Sequence, residues 1–229
     1  MLVAGRVDLS EVLARLAAER PVFHSEADFQ LALGLALWDS DSDLQVRLEV
    51  PPPDHAGLRH GAHLDLVAFN QRTEQRTVLE LKYTTRSWSG LAKSGVARSE
   101  EYRLKNHGAE DIFGYDVVKD IWRVEQVVGG QEGWNGAVVV LTNNPYYWSP
   151  PKVDEDTSNA AAFRLREGTE LSGERKWGDN TGDGTKKGHT DKFDLRGSYR
   201  LAWRDYSTLH DGPSRVRQFR YLLIPVVDE

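Results

Sequence analysis

At 229 residues the chain suits one large domain, or one domain with an elaborate appendage, because domains typically run to about 100–200 residues. Hydrophobic residues at 39% and charged residues at 28% describe a globular protein that buries a core, and the lack of any cysteine excludes a disulfide framework, thiolate catalysis and cysteine-ligated zinc or iron–sulfur sites. A net charge of −6 excludes a global basic field, so any contact with nucleic acid must be local. The richest apolar run, Leu31 to Trp38, meets Asp39 well short of the ~18 residues a membrane span requires. Arg6, Asp8 and Glu11 stand where a signal peptide needs its apolar segment, so a cytoplasmic location and no membrane partner are expected.

In chain order, Leu9, Val12, Leu13 and Leu16 have amphipathic spacing and predict a helix from Asp8 to Arg20, stopped by Pro21. A second helix is predicted after Ser25, whose hydroxyl can cap the next turn, running to about Trp38. Leu44 to Val50 alternates apolar and polar residues and predicts a half-buried strand, ended by Pro51, Pro52 and Pro53. His63 to Phe69 and Arg76 to Tyr83 predict two further strands of a meander, joined by a polar turn. Thr84 to Asn106 is polar and without a convincing period, so it is expected to be a loop. Ile112, Tyr115, Val118, Ile121, Val124 and Val128 predict a helix from Asp111 to Val128, and Gly136 to Thr142 a strand buried on both faces. From Tyr146 to Ser198 the composition turns to Gly, Asp, Lys and Thr, and Gly178 to Gly188 is expected to be a surface loop. Gly197 to Trp203 and Arg217 to Pro225 predict two last strands, which either extend the central sheet or form an annex.

The residues with chemistry lie on the second and third predicted strands. Period 2 puts Glu80 and Lys82 on one face of an otherwise apolar strand, with Leu79, Leu81 and Tyr83 on the other. If the two strands are neighbours, Asp65 approaches Glu80 across the ladder. Two carboxylates that close repel unless a cation lies between them, and a hard, oxygen-ligated ion such as Mg²⁺ or Mn²⁺ suits such a site. Glu26 shares a stripe of the second helix with Gln30, Leu33 and Leu37, so a third carboxylate can face the sheet. The plainer alternatives are a solvated Glu–Lys pair on an antiparallel face, and for Glu26 a helix-start acid favoured by the macrodipole.

The set Glu26, Asp65 and Glu80-Leu81-Lys82, in the element order α, β, β, β, α, β from about residue 22 to 142, resembles the PD-(D/E)XK nuclease superfamily. His63-Leu64-Asp65 departs from the eponymous pattern, in which a proline precedes the aspartate. The resemblance implies an α/β fold with a restriction-endonuclease-like αβββαβ core over residues 1–145 and a C-terminal β-rich extension over 146–229. It also implies a Mg²⁺-dependent nuclease acting on DNA, with metal held by Asp65, Glu80 and Glu26 and with Lys82 acting on the attacking water or the transition state. A homodimer or a partner subunit is compatible with this reading. The rivals are a catalytically silent nuclease-fold binding or assembly module and a metal-dependent phosphohydrolase acting on nucleotides.

Residues expected to assist are Gln30, as support for the site, and His63, on the strand face of Asp65. Arg86, Lys93, Arg98, Arg103 and Lys105, interleaved with Trp88 and Tyr102, form a candidate nucleic-acid strip of cations for phosphates and rings for bases. Arg215, Arg217 and Arg220 form a second basic stretch. Asp111, Asp116, Asp120, Arg123 and Glu125 read as a solvated helix face, although Arg123 or Gln126 could point back toward the site.

Overall fold

The alternation between residues 44 and 83 resolves, in a computed structural model that describes residues 1–93, 99–150 and 158–227, into an antiparallel meander at one side of a six-stranded sheet. A short hairpin, β1 (Leu2–Val3) and β2 (Val7–Asp8), precedes helices α1 (Leu9–Glu19) and α2 (Glu26–Trp38). Both helices start where the sequence supplies a cap: Asp8 accepts from the Ser10 and Glu11 amides, and Ser25 from the Asp28 amide. The meander is β3 (Leu44–Val50), β4 (Leu64–Asn70) and β5 (Arg76–Thr84). A second hairpin follows, β6 (Trp88–Lys93) and β7 (Ser99–Leu104), then helix α3 (Glu110–Val128) and strand β8 (Trp134–Thr142). The remainder comprises β9 (Glu170–Arg175), a single turn α4 (Asp183–Lys186), β10 (Phe193–Arg200), β11 (Trp203–Thr208) and β12 (Gln218–Val226).

The sheet order is β11-β12-β8-β5-β4-β3, with β5 and β8 parallel and every other neighbouring pair antiparallel. The last two strands therefore extend the central sheet. Because β5 and β8 are central, both their faces are covered and, apart from Glu80 and Lys82 on β5, mostly apolar between their ends, as expected of parallel strands buried on two sides. Leu79, Leu81, Val139 and Leu141 face α1, α2 and the β6–β7 hairpin, whereas Val78, Val138 and Val140 face α3 and the β9–β10 hairpin. Among the described residues no helix is long and apolar enough to cross a membrane.

Three expectations require correction. Thr84 to Asn106 contains the β6–β7 hairpin, which the sequence hides because Gly90 is small and Leu91 points outward, at 59% exposure, so the apolar alternation is broken. Trp88 and Tyr102 are buried in the core and offer no ring to a base. Arg98 lies outside the described residues. Residues 158–198 are likewise built in part, since β9 pairs with β10 and Phe163, Trp177 and Phe193 close around Tyr115 of α3, while Gly178 to Gly188 stays largely at the surface apart from the single turn α4. The strand expected from Gly197 to Trp203 is in fact the end of β10 and the start of β11, separated by Leu201 and Ala202.

Helix α3 lies so close to the sheet that Gly136 has no room for a side chain. A Cβ there would fall 2.3 Å from Val124 Cγ1 and 2.9 Å from the Val78 carbonyl oxygen. Gly136→Ala is therefore expected to lower stability by about 1–3 kcal/mol through overpacking. Gly182→Ala, where nothing lies within 4 Å, should stay within about 0.5 kcal/mol of the parent. Urea midpoints at constant m-value measure both, and equal midpoints for the two variants would contradict this seating of α3.

Candidate active site

The site arises where β4 and β5 part. Their ladder pairs Phe69 with Arg76 through to Leu66 with Leu79 and then stops, one step before Asp65 and Glu80 would face each other. The β3–β4 pairing skips at the same level, between Leu48–Leu66 and Val50–Leu64, where Glu49 takes a left-handed φ of 53°. Beyond Leu79, strand β5 still pairs with β8 but has lost its other neighbour, so its amides on that side need other acceptors. Carboxylates supply them: Asp65 Oδ2 accepts from the Leu81 amide at 2.6 Å, and Glu26 Oε2 from the Tyr83 amide at 2.8 Å.

Glu26 reaches this position because the turn before α2 is tied to β5. The Tyr83 hydroxyl donates to the Phe23 carbonyl at 2.8 Å, and Arg20 grips Asp28 with 2.9 Å contacts to both carboxylate oxygens. Gln30, one turn on, donates to the Asp65 carbonyl at 2.6 Å and to Glu49 at 2.8 Å, holding the skipped backbone from behind.

On the α3 side, Glu80 and Lys82 project toward two residues that the sequence reading assigned to a solvated helix face. Asp120 is 3% exposed and meets Lys82 Nζ at 2.6 Å. Arg123 meets Glu80 at 3.2 Å and Asp120 at 3.3 Å, and also donates to the His63 carbonyl. Glu125 is buried too, accepting from the Tyr199 hydroxyl at 2.7 Å and the Gly197 amide at 2.9 Å, so it fastens β10 onto the helix. Glu125 is interior because the β9–β10 hairpin covers it, whereas Asp120 and Arg123 are turned to β5; both are long-range contacts with no local signature. Gln126 bonds back to the Trp122 carbonyl.

The electrostatics follow from four carboxylates, Glu26, Asp65, Glu80 and Asp120, sharing two cations, Lys82 and Arg123. Burial raises the pKa of Glu80 well above its ordinary range, and repulsion from Asp120 and Asp65 adds to the effect. Burial likewise raises Asp65, against the opposing pull of Lys82 and the Leu81 amide. Glu26 keeps an exposed outer surface, but loss of solvation around its inward carboxylate raises it as well. Burial disfavours charge on Lys82, yet Asp120, Glu26 and Asp65 outweigh it and hold its pKa above the usual lysine range. Lys82 is therefore a fixed positive charge at neutral pH and not a general base.

As arranged, no group of three or more His, Asp or Glu side chains among the described residues is placed to hold a metal ion. Each carboxylate is turned to a neighbour: Asp65 and Glu26 to strand amides, Glu80 to Arg123. The donor chemistry nevertheless fits a hard divalent cation. Glu80 Oε1 and Asp120 Oδ2 are buried and ion-paired but accept no hydrogen bond of regular geometry, and four carboxylates share only two cations. Asp65 and Glu80 are the residues that would hold such an ion, with Glu26 at the mouth.

Beside the site, a cleft of about 860 Å³ is lined by His63, Lys119, Trp122 and Arg123 together with Arg59, His60 and Lys192. His63 lines this cleft, and its carbonyl accepts from Arg123. Arg86 and Arg103 lie elsewhere. Arg103 is exposed on β7 and pairs with Glu101 at 2.9 Å, while Arg86 pairs with Glu110 at 2.9 Å at the start of α3.

The raised pKa of Asp65 fixes the sign of a stability effect. A carboxyl raised by folding holds its proton more tightly in the native state, so its contribution is full below the unfolded pKa and is lost as pH rises through the folded value. Asp65→Asn, which keeps an acceptor for the Leu81 amide, should melt no higher than the parent at pH 4 and progressively higher from pH 5 to pH 8 in EDTA. A constant difference across that range would show that Asp65 carries no such strain. Comparison with known proteins assigns no relationship: no family model matches the chain, and no curated protein or solved structure matches it either.

Proposed function

We propose that this chain is a divalent-metal-dependent nuclease of the PD-(D/E)XK, restriction-endonuclease-like type, hydrolysing phosphodiester bonds in DNA with Mg²⁺ or Mn²⁺. The observation that carries the reading is Lys82, held protonated by Asp120 beside the Asp65–Glu80 pair where β4 and β5 part. A metal bound by these carboxylates would polarise a phosphoryl oxygen and lower the pKa of its water. The chain's own residues do the rest. Lys82 presents a preset charge to the negative charge developing on the phosphoryl group, and because it is already oriented, it needs no reorganisation during the reaction. Glu26, at the exposed mouth and with its pKa raised, can hold the proton released by an attacking water. The cations of the adjacent cleft, Lys119 and Arg123 among them, suit the flanking phosphates.

One observation favours a catalytically silent binding module instead: every core carboxylate already has a partner, and Arg123 sits on Glu80 where an ion would otherwise bind. Activity separates the readings. Purified protein is incubated with linear, circular and single-stranded DNA in Mg²⁺, Mn²⁺ or EDTA, beside Lys82→Ala and Asp65→Asn. Metal-dependent cutting that falls by about 10²-fold or more in both variants is expected, the scale for removing one preorganised electrostatic group. Absence of cutting in every metal, with the parent and both variants binding DNA equally, would replace the nuclease by the binding module.

A further inference from the structure

The two cations that serve the four acids of the candidate site are held differently. Lys82 Nζ meets Asp120 at 2.6 Å, the distance of a fully made charged contact. Arg123 meets Glu80 at 3.2 and 3.5 Å and Asp120 at 3.3 Å, each longer than the ~2.7–2.9 Å of a charge-assisted hydrogen bond. Glu80 is fully buried, and its Oε1, the oxygen nearest Arg123, accepts no hydrogen bond. A carboxylate oxygen in that position gains more from a cation that can approach to coordinating distance than from a guanidinium held back from it.

Arg123 has a second place to go. The same guanidinium donates to the His63 carbonyl on the wall of the 860 Å³ cleft, and its side chain, 15% exposed, lines that cleft too. Its hydrogen bond on the cleft side is therefore better made than its contacts on the acid side. Other cations of the cleft are engaged, Arg59 with Asp191 at 3.2 Å and Lys192 with Glu174 at 3.0 Å. Lys119, one helical turn before Arg123 on α3, makes no ion pair among the described residues. Residues four apart on a helix are neighbours, about 5–6 Å between Cβ atoms, and like charges so placed repel. With Arg123 turned to the acids, that repulsion is relieved; with Arg123 turned to the cleft, an anion between it and Lys119 relieves it instead.

We propose that Arg123 is a counter-ion switch: it neutralises Glu80 and Asp120 as seen here, yields them to a divalent cation, and turns into the cleft, where with Lys119 it binds a phosphate of the substrate. That the phosphate belongs to DNA rests on the nuclease reading; the exchange rests only on a cation being bound at Glu80. Metal and phosphate then assist each other, and the assistance is reciprocal. The contact between Arg123 and Glu80 thus serves an active site as well as a silent one.

The test measures two affinities of the full-length protein, for Mn²⁺ by calorimetry and for a DNA duplex in EDTA or in Ca²⁺, which takes the same oxygen ligands. Strand integrity is checked on denaturing gels. Arg123→Gln should bind Mn²⁺ about tenfold tighter than the parent, because a competing positive charge is gone. DNA should respond in the opposite sense: the loss of affinity caused by Arg123→Gln should be about fivefold or more larger in Ca²⁺ than in EDTA. Arg123→Lys, whose point charge cannot span both acids, should shift Mn²⁺ affinity in the same direction by less, and it carries the test if melting shows that the glutamine variant does not fold. Weaker Mn²⁺ binding in both variants would make Arg123 a structural support, and an equal loss of DNA affinity with and without metal would make it a permanent phosphate ligand; either result overturns the switch. Failure of parent and variants alike to bind Mn²⁺ would overturn the switch and the nuclease together. Both affinity changes without cleavage in any metal would uphold the switch and sink the nuclease, whereas metal-dependent cleavage with Mn²⁺ affinity unchanged in both variants would do the reverse.

Discussion

Strand β5 is central to the sheet yet loses its antiparallel neighbour halfway along, and the rest of the candidate site follows from that loss. Unpaired amides in the interior of a protein must find acceptors. Here the acceptors for Leu81 and Tyr83 come from Asp65 on the departing strand and Glu26 on α2. The groups that repair the backbone are therefore also the groups that charge the site. Gln30 and the left-handed Glu49 hold the parted strand in place, so the opening is a built feature of β3 and β4 and not a frayed end.

Gathering carboxylates at that opening creates a second constraint. Unpaired, they would be expelled or protonated; paired with too many cations, they would be inert. The arrangement lies between these limits, with Lys82 and Arg123 serving four acids. Lys82 is fixed by Asp120 and cannot collapse onto Asp65 or Glu80, which stay short of positive charge. Removing one member of such a network is expected to cost more than its pairwise contacts suggest, because the others are left buried and uncompensated. Side chains from α2, β4, β5 and α3 all meet here, so both helix layers must be in place before the site exists.

What could be read from the sequence was what is encoded locally. Period 2 located β3, β4 and β5 and put Glu80 and Lys82 on one face; the Ser25 cap located α2 and hence Glu26. Asp120 was misread because its partner, Lys82 of β5, is remote in sequence, and Glu125 because helical periodicity marks the side facing the sheet and carries no information about a second layer above it. That layer is the β9–β10 hairpin, built from a stretch whose Gly, Asp and Lys content looks like solvent-exposed chain. The β6–β7 hairpin escaped for a related reason, since its register rests on only a few inward residues, Trp88, Ala92, Tyr102 and Leu104, with Leu91 exposed between them. The parting of β4 and β5 has no sequence signature either. It shows only in the register, yet it is what turns three scattered acids into one site.

The acidic composition argues less against a polyanionic ligand than its net value suggests. At physiological ionic strength a charge is screened within about 8 Å, so a ligand several times that distance from most of the surface responds to the patch in front of it and not to the total of −6. The described arginines are distributed accordingly. Several are matched one to one with acids, as Arg59 is with Asp191, Arg72 with Asp43 and Arg103 with Glu101, and add little field. Lys119, in the cleft beside the candidate site, makes no ion pair among the described residues. If the protein binds a polyanion, as the proposed nuclease would, the local patch that the ligand meets, and not the net charge, would set how it docks before any contact at Lys82 is made.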